Sequence, residues 1–104
     1  MQVSEESRGP WHVIVISGRV DAEGSDSLES TLRLAAEQHP RIAADFAAVA
    51  YISSAGLRAM LQGARAAQNA GHEFLICNLT PPVRKIFEIS GLQQVLRIVG
   101  DLPC

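Results

Sequence analysis

Two adjacent serines, Ser53 and Ser54, stand in the run Tyr51-Ile52-Ser53-Ser54-Ala55-Gly56-Leu57-Arg58, where an apolar segment gives way to helical spacing. Upstream, Arg41-Ile42-Ala43-Ala44-Asp45-Phe46 reads as a buried strand; downstream, Leu57, Met60, Leu61 and Ala64 recur at helical intervals. Hydroxyls at a strand-to-helix turn have two uses. Ser53 or Ser54 can cap the new helix by accepting a hydrogen bond from an otherwise unpaired amide. A hydroxyl there can also carry a phosphate, because the positive end of a helix favours an anion. Ala55 and Gly56 keep the turn slim, which lets a second protein approach the serines closely.

The elements that must position this turn can be read along the chain. Residues 1–10 are mostly polar and suit an edge strand ended by Gly9-Pro10. Trp11-His12-Val13-Ile14-Val15-Ile16-Ser17 is a short β-branched run closed by Gly18, apolar on both faces as expected of a central strand covered by helices. A first helix starts at Gly24-Ser25-Asp26-Ser27, capped by Ser25 or Ser27, and runs to about Gln38, with Leu28, Leu32 and Ala35 as its buried stripe. Asp45 interrupts the next strand, so loop amides must satisfy its carboxylate before the chain passes through Ala47-Ala48-Val49-Ala50 to the turn. The second helix spans about Ala55 to Ala70 and stops at Gly71. Glu73 to Asn78 is a strand, Thr80-Pro81-Pro82 opens a third helix that Gly91 closes, and Val95 to Val99 is a last short strand. The expected fold is α/β: a mixed, mainly parallel sheet of four to five strands with helices packed against it.

Composition narrows the possible functions. At 104 residues, 47% of them hydrophobic, the chain suits one folded domain spanning 1–104. A formal net charge of -2 with few, scattered basic residues gives no reason to expect nucleic acid. No apolar run is long enough for a membrane span and no signal peptide opens the chain, so a cytoplasmic protein is expected. Cys77 lies in the apolar run Phe74-Leu75-Ile76-Cys77 and reads as a small core residue, and Cys104 is terminal. Neither suggests a metal site or a disulfide, and no cofactor motif is present.

Ile52-Ser53-Ser54-Ala55-Gly56-Leu57-Arg58, preceded by a strand carrying Asp45, resembles the signature of the STAS domain. More narrowly, it resembles the small bacterial anti-sigma factor antagonists. Gly18-Arg19-Val20-Asp21, Asn78-Leu79-Thr80-Pro81 and Ile89-Ser90-Gly91-Leu92 resemble further stretches of that family in the same order, so the likeness covers roughly residues 11–99.

The resemblance implies a non-enzymatic protein-binding switch. Unphosphorylated, the chain would bind a serine kinase that also serves as an anti-sigma factor; phosphorylation of Ser54 by that kinase would release it, and a serine phosphatase would reset the switch. It also implies a partner-binding surface of Asp21, Ser53, Ala55, Gly56, Arg58 and Gln62. Ser53 stands where the family often has Asp, which makes it a competing phosphoacceptor. Asp21 is equally readable as an ordinary turn carboxylate or cap. Two other classes compete with the switch. STAS domains also serve as constitutive scaffolds in transporter tails and lipid-transport complexes, where the serine is merely a cap. A serine hydrolase would need glycine where Ile52 stands and a histidine partner, and His12, His39 and His72 fit no triad pattern.

Overall fold

The fold is built on one five-stranded sheet whose strands lie side by side in chain order. The structure is a computed structural model and describes residues 1–101; Cys104 therefore lies outside the described residues. The elements are β1 (Gln2–Arg8), β2 (Trp11–Val20), α1 (Ala22–Gln38), β3 (Arg41–Ile52), α2 (Ser54–Asn69), β4 (Glu73–Cys77), α3 (Pro81–Ser90), a single 3-10 turn (Leu92–Gln94) and β5 (Ile98–Val99). β1 and β2 form an antiparallel hairpin, and β2 through β5 pair in parallel. The mixed, mainly parallel α/β sheet expected from the sequence is what the chain forms.

All three helices pack on one face of the sheet. Leu28, Leu32 and Ala36 of α1, Leu57, Met60 and Ala67 of α2, and Val83 and Phe87 of α3 join Ile14, Ile16, Ile42, Phe46 and Ile76 in one apolar cluster. The other face carries a smaller cluster of Trp11, Val13, Ala43, Leu75 and Cys77, to which no helix residue contributes. This corrects the expectation that helices cover both faces of β2. Arginine side chains that follow the apolar floor cross this second face: Arg8 reaches Asp45, and Glu73 lies between Arg41 and Arg97.

Several boundaries differ from those read in the sequence. α1 begins at Ala22, two residues ahead of Gly24, because Asp21 takes the cap position and its carboxylate accepts from Gly24 N–H at 3.2 Å. Ser25, expected as a cap, is buried and donates to Ala22 O instead. β2 continues past Gly18 to Val20, and β3 continues through Ala47-Ala48-Val49-Ala50 to Ile52, where a loop was expected. Two bulges make that extension possible. β2 advances from Val15 to Ser17 while β3 advances from Asp45 to Ala48, and from Gly18 to Arg19 while β3 goes from Val49 to Tyr51. Each puts one extra residue into β3, which bends a strand locally and increases its twist. β4 ends at Cys77, and Asn78 turns the chain at φ 61. The last strand is only Ile98–Val99, since Leu92–Gln94 wind into the 3-10 turn.

Asp45 explains the first bulge. It is buried, and its Oδ1 accepts from Ala47 N–H at 3.0 Å and Asn78 Nδ2 at 3.2 Å, while Oδ2 accepts from Arg8 Nη1 at 2.7 Å. Burial alone would push the carboxyl up. The hydrogen bonds from Ala47, Arg8 and Asn78, with the charge of Arg8, outweigh it and hold Asp45 below the usual carboxylate range. The costly carboxylate in an apolar strand is thus what satisfies a bulge amide and ties β1, β3 and the end of β4 together.

Candidate functional site

The two serines take different jobs. Ser53 is the N-cap of α2: its backbone is extended, at φ -84 and ψ 170, and its Oγ accepts from Gly56 N–H at 3.1 Å. Ser54 is the first residue of the helix, exposed, and its hydroxyl has no hydrogen-bond partner among the described residues. An alternative left open by the sequence is thereby decided. One hydroxyl holds the turn together, and the next faces solvent at the positive end of a helix of 16 residues.

The turn is clamped from behind. Ser53 N–H donates to Val20 O at 2.8 Å, so the end of β2 fixes the start of α2. Gly56 is buried, and a Cβ there would sit 2.7 Å from Ile52 Cγ1 and 2.8 Å from Val20 Cγ1. Its lack of a side chain lets α2 rest on the strand ends; it serves the core rather than clearing space for a visitor. Ala55 beside it is half-buried.

The remaining site residues divide. Asp21 follows Val20 directly and is exposed, so the Val20–Ser53 bond brings it beside the α2 cap, although its Oδ1 is engaged in capping α1. Arg58 is exposed one helical turn beyond Ser54. Gln62 lies two turns along, about 12 Å of helix rise from Ser54. There it lines a groove with Arg33 and Glu37 of α1 and Asn69 of α2 rather than facing the serines. Thr80 takes the expected cap position of α3, but its hydroxyl donates to Val49 O at 2.9 Å, steadying β3 just before the turn.

One feature of this surface joins residues far apart in sequence. Arg19 lies opposite Tyr51 across β2 and β3, and its Cζ stands 4.4 Å from the centroid of the Tyr51 ring. Both residues belong to stretches singled out in the sequence, Gly18-Arg19-Val20-Asp21 and Tyr51 to Arg58. Their contact depends on the strand register, which bulges shift by two residues overall.

The histidines are elsewhere. His12 begins β2, His39 ends α1 and His72 precedes β4, all at the end of the sheet opposite the serines. His12 stacks on His39 with ring centroids 3.7 Å apart, its Nε2 is 2.6 Å from Glu5 Oε1, and His72 Nδ1 meets Ala36 O. Neither serine therefore has an imidazole within reach for nucleophilic activation. Among the described residues, no group of three or more His, Cys, Asp or Glu side chains could hold a metal ion, and no helix is long and apolar enough to cross a membrane.

Comparison with known proteins agrees with this geometry. The family model described as Mlab, STAS domain matches residues 3–100. BtrV of Bordetella bronchiseptica, named as an anti-sigma factor antagonist, is 32% identical over 90 residues, covering 86% of this chain and 78% of that protein. The unphosphorylated anti-sigma factor antagonist SpoIIAA shares the fold with a TM-score of 0.81 at 21% identity, over 97% of this chain and 89% of its own. Its Bacillus phosphorylated form gives 0.74 at 20% identity, over 97% and 92%. At such identities these two structures speak for the fold alone. The family model and the BtrV likeness go further: this chain belongs to the STAS domain family, among relatives of the anti-sigma factor antagonists.

Proposed function

We propose that this chain is a phosphorylation-switched anti-sigma factor antagonist with Ser54 as its phosphoacceptor. The observation that carries the reading is the split between the serines: Ser53 is committed to the cap, whereas Ser54 is exposed with its hydroxyl unengaged among the described residues. The existence of SpoIIAA in phosphorylated and unphosphorylated forms supports the same chemistry on the same fold.

In the unphosphorylated state the surface around Ser54 docks on a serine kinase that is also an anti-sigma factor, and the kinase gives up its other client. Transfer of a phosphoryl group to the Ser54 hydroxyl adds about 1.5 to 2 negative charges. Within the chain the α2 N-terminus tolerates them. At a close interface they meet desolvation and any opposing carboxylate, so the complex separates. A serine phosphatase removes the phosphate and restores binding. The kinase and phosphatase supply the catalytic groups, which accords with the distance of every histidine from this turn.

The test is phosphosite mapping on protein from its native cells, with calorimetry on variants. Phosphate at Ser54, kinase binding kept by Ser54→Ala and lost by Ser54→Asp, is the expected result. No phosphate under any growth condition, with equal binding by both variants, would make the chain a constitutive STAS scaffold.

A further inference from the structure

Arg19 stands at the end of β2 beside the serine turn, and an aromatic ring rather than a carboxylate holds it. The ion pairs formed by arginines use Arg8, Arg33, Arg41 and Arg97. Among the described residues, Arg19 has no carboxylate at ion-pair distance, yet it is not loose, because its guanidinium is held 4.4 Å above the Tyr51 ring. Tyr51 is half-buried and Arg19 exposed, only Ile52 and Ser53 stand between Tyr51 and Ser54, and Val20, next to Arg19, bonds Ser53.

We propose that the Arg19–Tyr51 stack is the anchor for a carboxylate side chain of the protein partner that docks on the Ser54 surface. The inference rests on the switch reading above and gives the partner a chemistry. A guanidinium lying over an aromatic ring keeps its N–H donors in its own plane, directed outward in the fork that fits a carboxylate through two hydrogen bonds. The ring has already restricted the long side chain, so docking orders little that was free. Arginine and tyrosine are also the residue types that most often dominate binding energy at interfaces.

Small side chains border the stack: Ala48 and the bulged Ala50, both exposed on β3 before Tyr51, carry only methyl groups. Arg58 adds a second exposed cation one turn along α2. Asp21, Glu23 and Asp26 are exposed at the start of α1, and no ion pair joins any of them to the Arg19 guanidinium among the described residues. Arg19 and Arg58 thus offer positive charge beside the turn, whereas the start of α1 offers carboxylates. A partner carboxylate seeks the former. The same arrangement explains release: a phosphate on Ser54 places a like charge beside the bound carboxylate and competes with it for the cations.

The experiment is calorimetric titration of the cognate serine kinase into wild type, Arg19→Lys, Arg19→Glu, Ser54→Ala and Ser54→Asp, with urea midpoints as a folding control. Arg19→Lys should bind about tenfold more weakly, since an ammonium lacks the fork. Arg19→Glu should bind about a hundredfold more weakly. Replacing one kinase Asp or Glu with Arg should restore much of the affinity of Arg19→Glu. Wild-type affinity in both Arg19 variants, with Ser54→Asp still releasing the kinase, would overturn the anchor and leave the switch standing. Failure of both wild type and Ser54→Ala to bind the kinase would overturn the switch, and the anchor with it.

Discussion

The backbone amide of Ser53 donates to the carbonyl of Val20 at 2.8 Å, and this one bond places two helix caps side by side. Asp21, the next residue after Val20, caps α1; Ser53 itself caps α2. Both helices thus begin at the carboxyl ends of β2 and β3, where open α/β sheets commonly place their binding sites. A side chain presented at either cap shares a surface with the other.

The division of labour between the serines predicts different stabilities. Ser53→Ala should cost about 1 kcal/mol through loss of the cap. Ser54→Ala should stay within about 0.5 kcal/mol of wild type. Ser54→Asp should gain up to about 1 kcal/mol at low ionic strength from the helix dipole. Urea unfolding of the three variants checks this, and a larger loss from Ser54→Ala than from Ser53→Ala would reverse the assignment. The Asp result also matters for binding work, since lost binding in that variant is then not a folding defect.

Two glycines should be intolerant of a methyl group. At Gly56 a Cβ meets Ile52 Cγ1 at 2.7 Å and Val20 Cγ1 at 2.8 Å; at Gly63 it meets Leu32 Cβ at 2.9 Å, where α2 crosses α1. The opposing atoms lie close to their own backbones and cannot swing aside. Each Gly→Ala change should cost about 1–3 kcal/mol, despite alanine's better helix propensity. A variant as stable as wild type would show that the helices are not seated as closely as described.

Asp45 should make the protein sensitive to acid. Its carboxyl is held below the usual carboxylate range when folded, so the unfolded chain takes up that proton more readily. The stabilisation is complete at neutral pH and is lost as the pH falls below about 4. Asp45→Asn should flatten this part of the stability profile. Asp45→Ala should cost about 2–3 kcal/mol at pH 7, because Ala47 N–H and the Arg8 guanidinium lose their acceptor. Urea midpoints across pH 3–7 provide the measurement, and an unchanged acid limb in Asp45→Asn would refute it.

Cys77 should be inert in the native state. Burial, then the charge of Asp45, pushes its thiol up to about 11, and none of its surface is exposed. In a Cys104→Ser background, a thiol reagent at pH 8 should modify Cys77 only on the timescale of opening, and at once in denaturant. Rapid native modification would contradict the buried placement.

Much of this was legible in the sequence, for identifiable reasons. The β-branched run of β2, the Leu28, Leu32 and Ala35 stripe of α1, and the cap and breaker residues around α2 and α3 act within a few residues of chain, and local pattern reports local physics. The serine turn was legible on the same grounds, as was the α/β alternation. Which serine caps was not, because both stand within two residues of the strand's end and the choice depends on where Val20 O meets the turn. Asp21 was readable as a local cap, and it caps α1; the extension of β3 to Ile52 and the burial of Gly56 against Val20 were decided by pairing between distant strands. The two bulges do most to separate what each level determined. They are specified by the match of β2 to β3, they satisfy Ala47 N–H through Asp45, and by shifting the register they bring Arg19 onto Tyr51. Sequence alone determined the elements and the exposed chemistry of the turn, because those follow from neighbours in the chain. Tertiary structure decided which side chains share the site, because register is a property of two strands and of neither one alone.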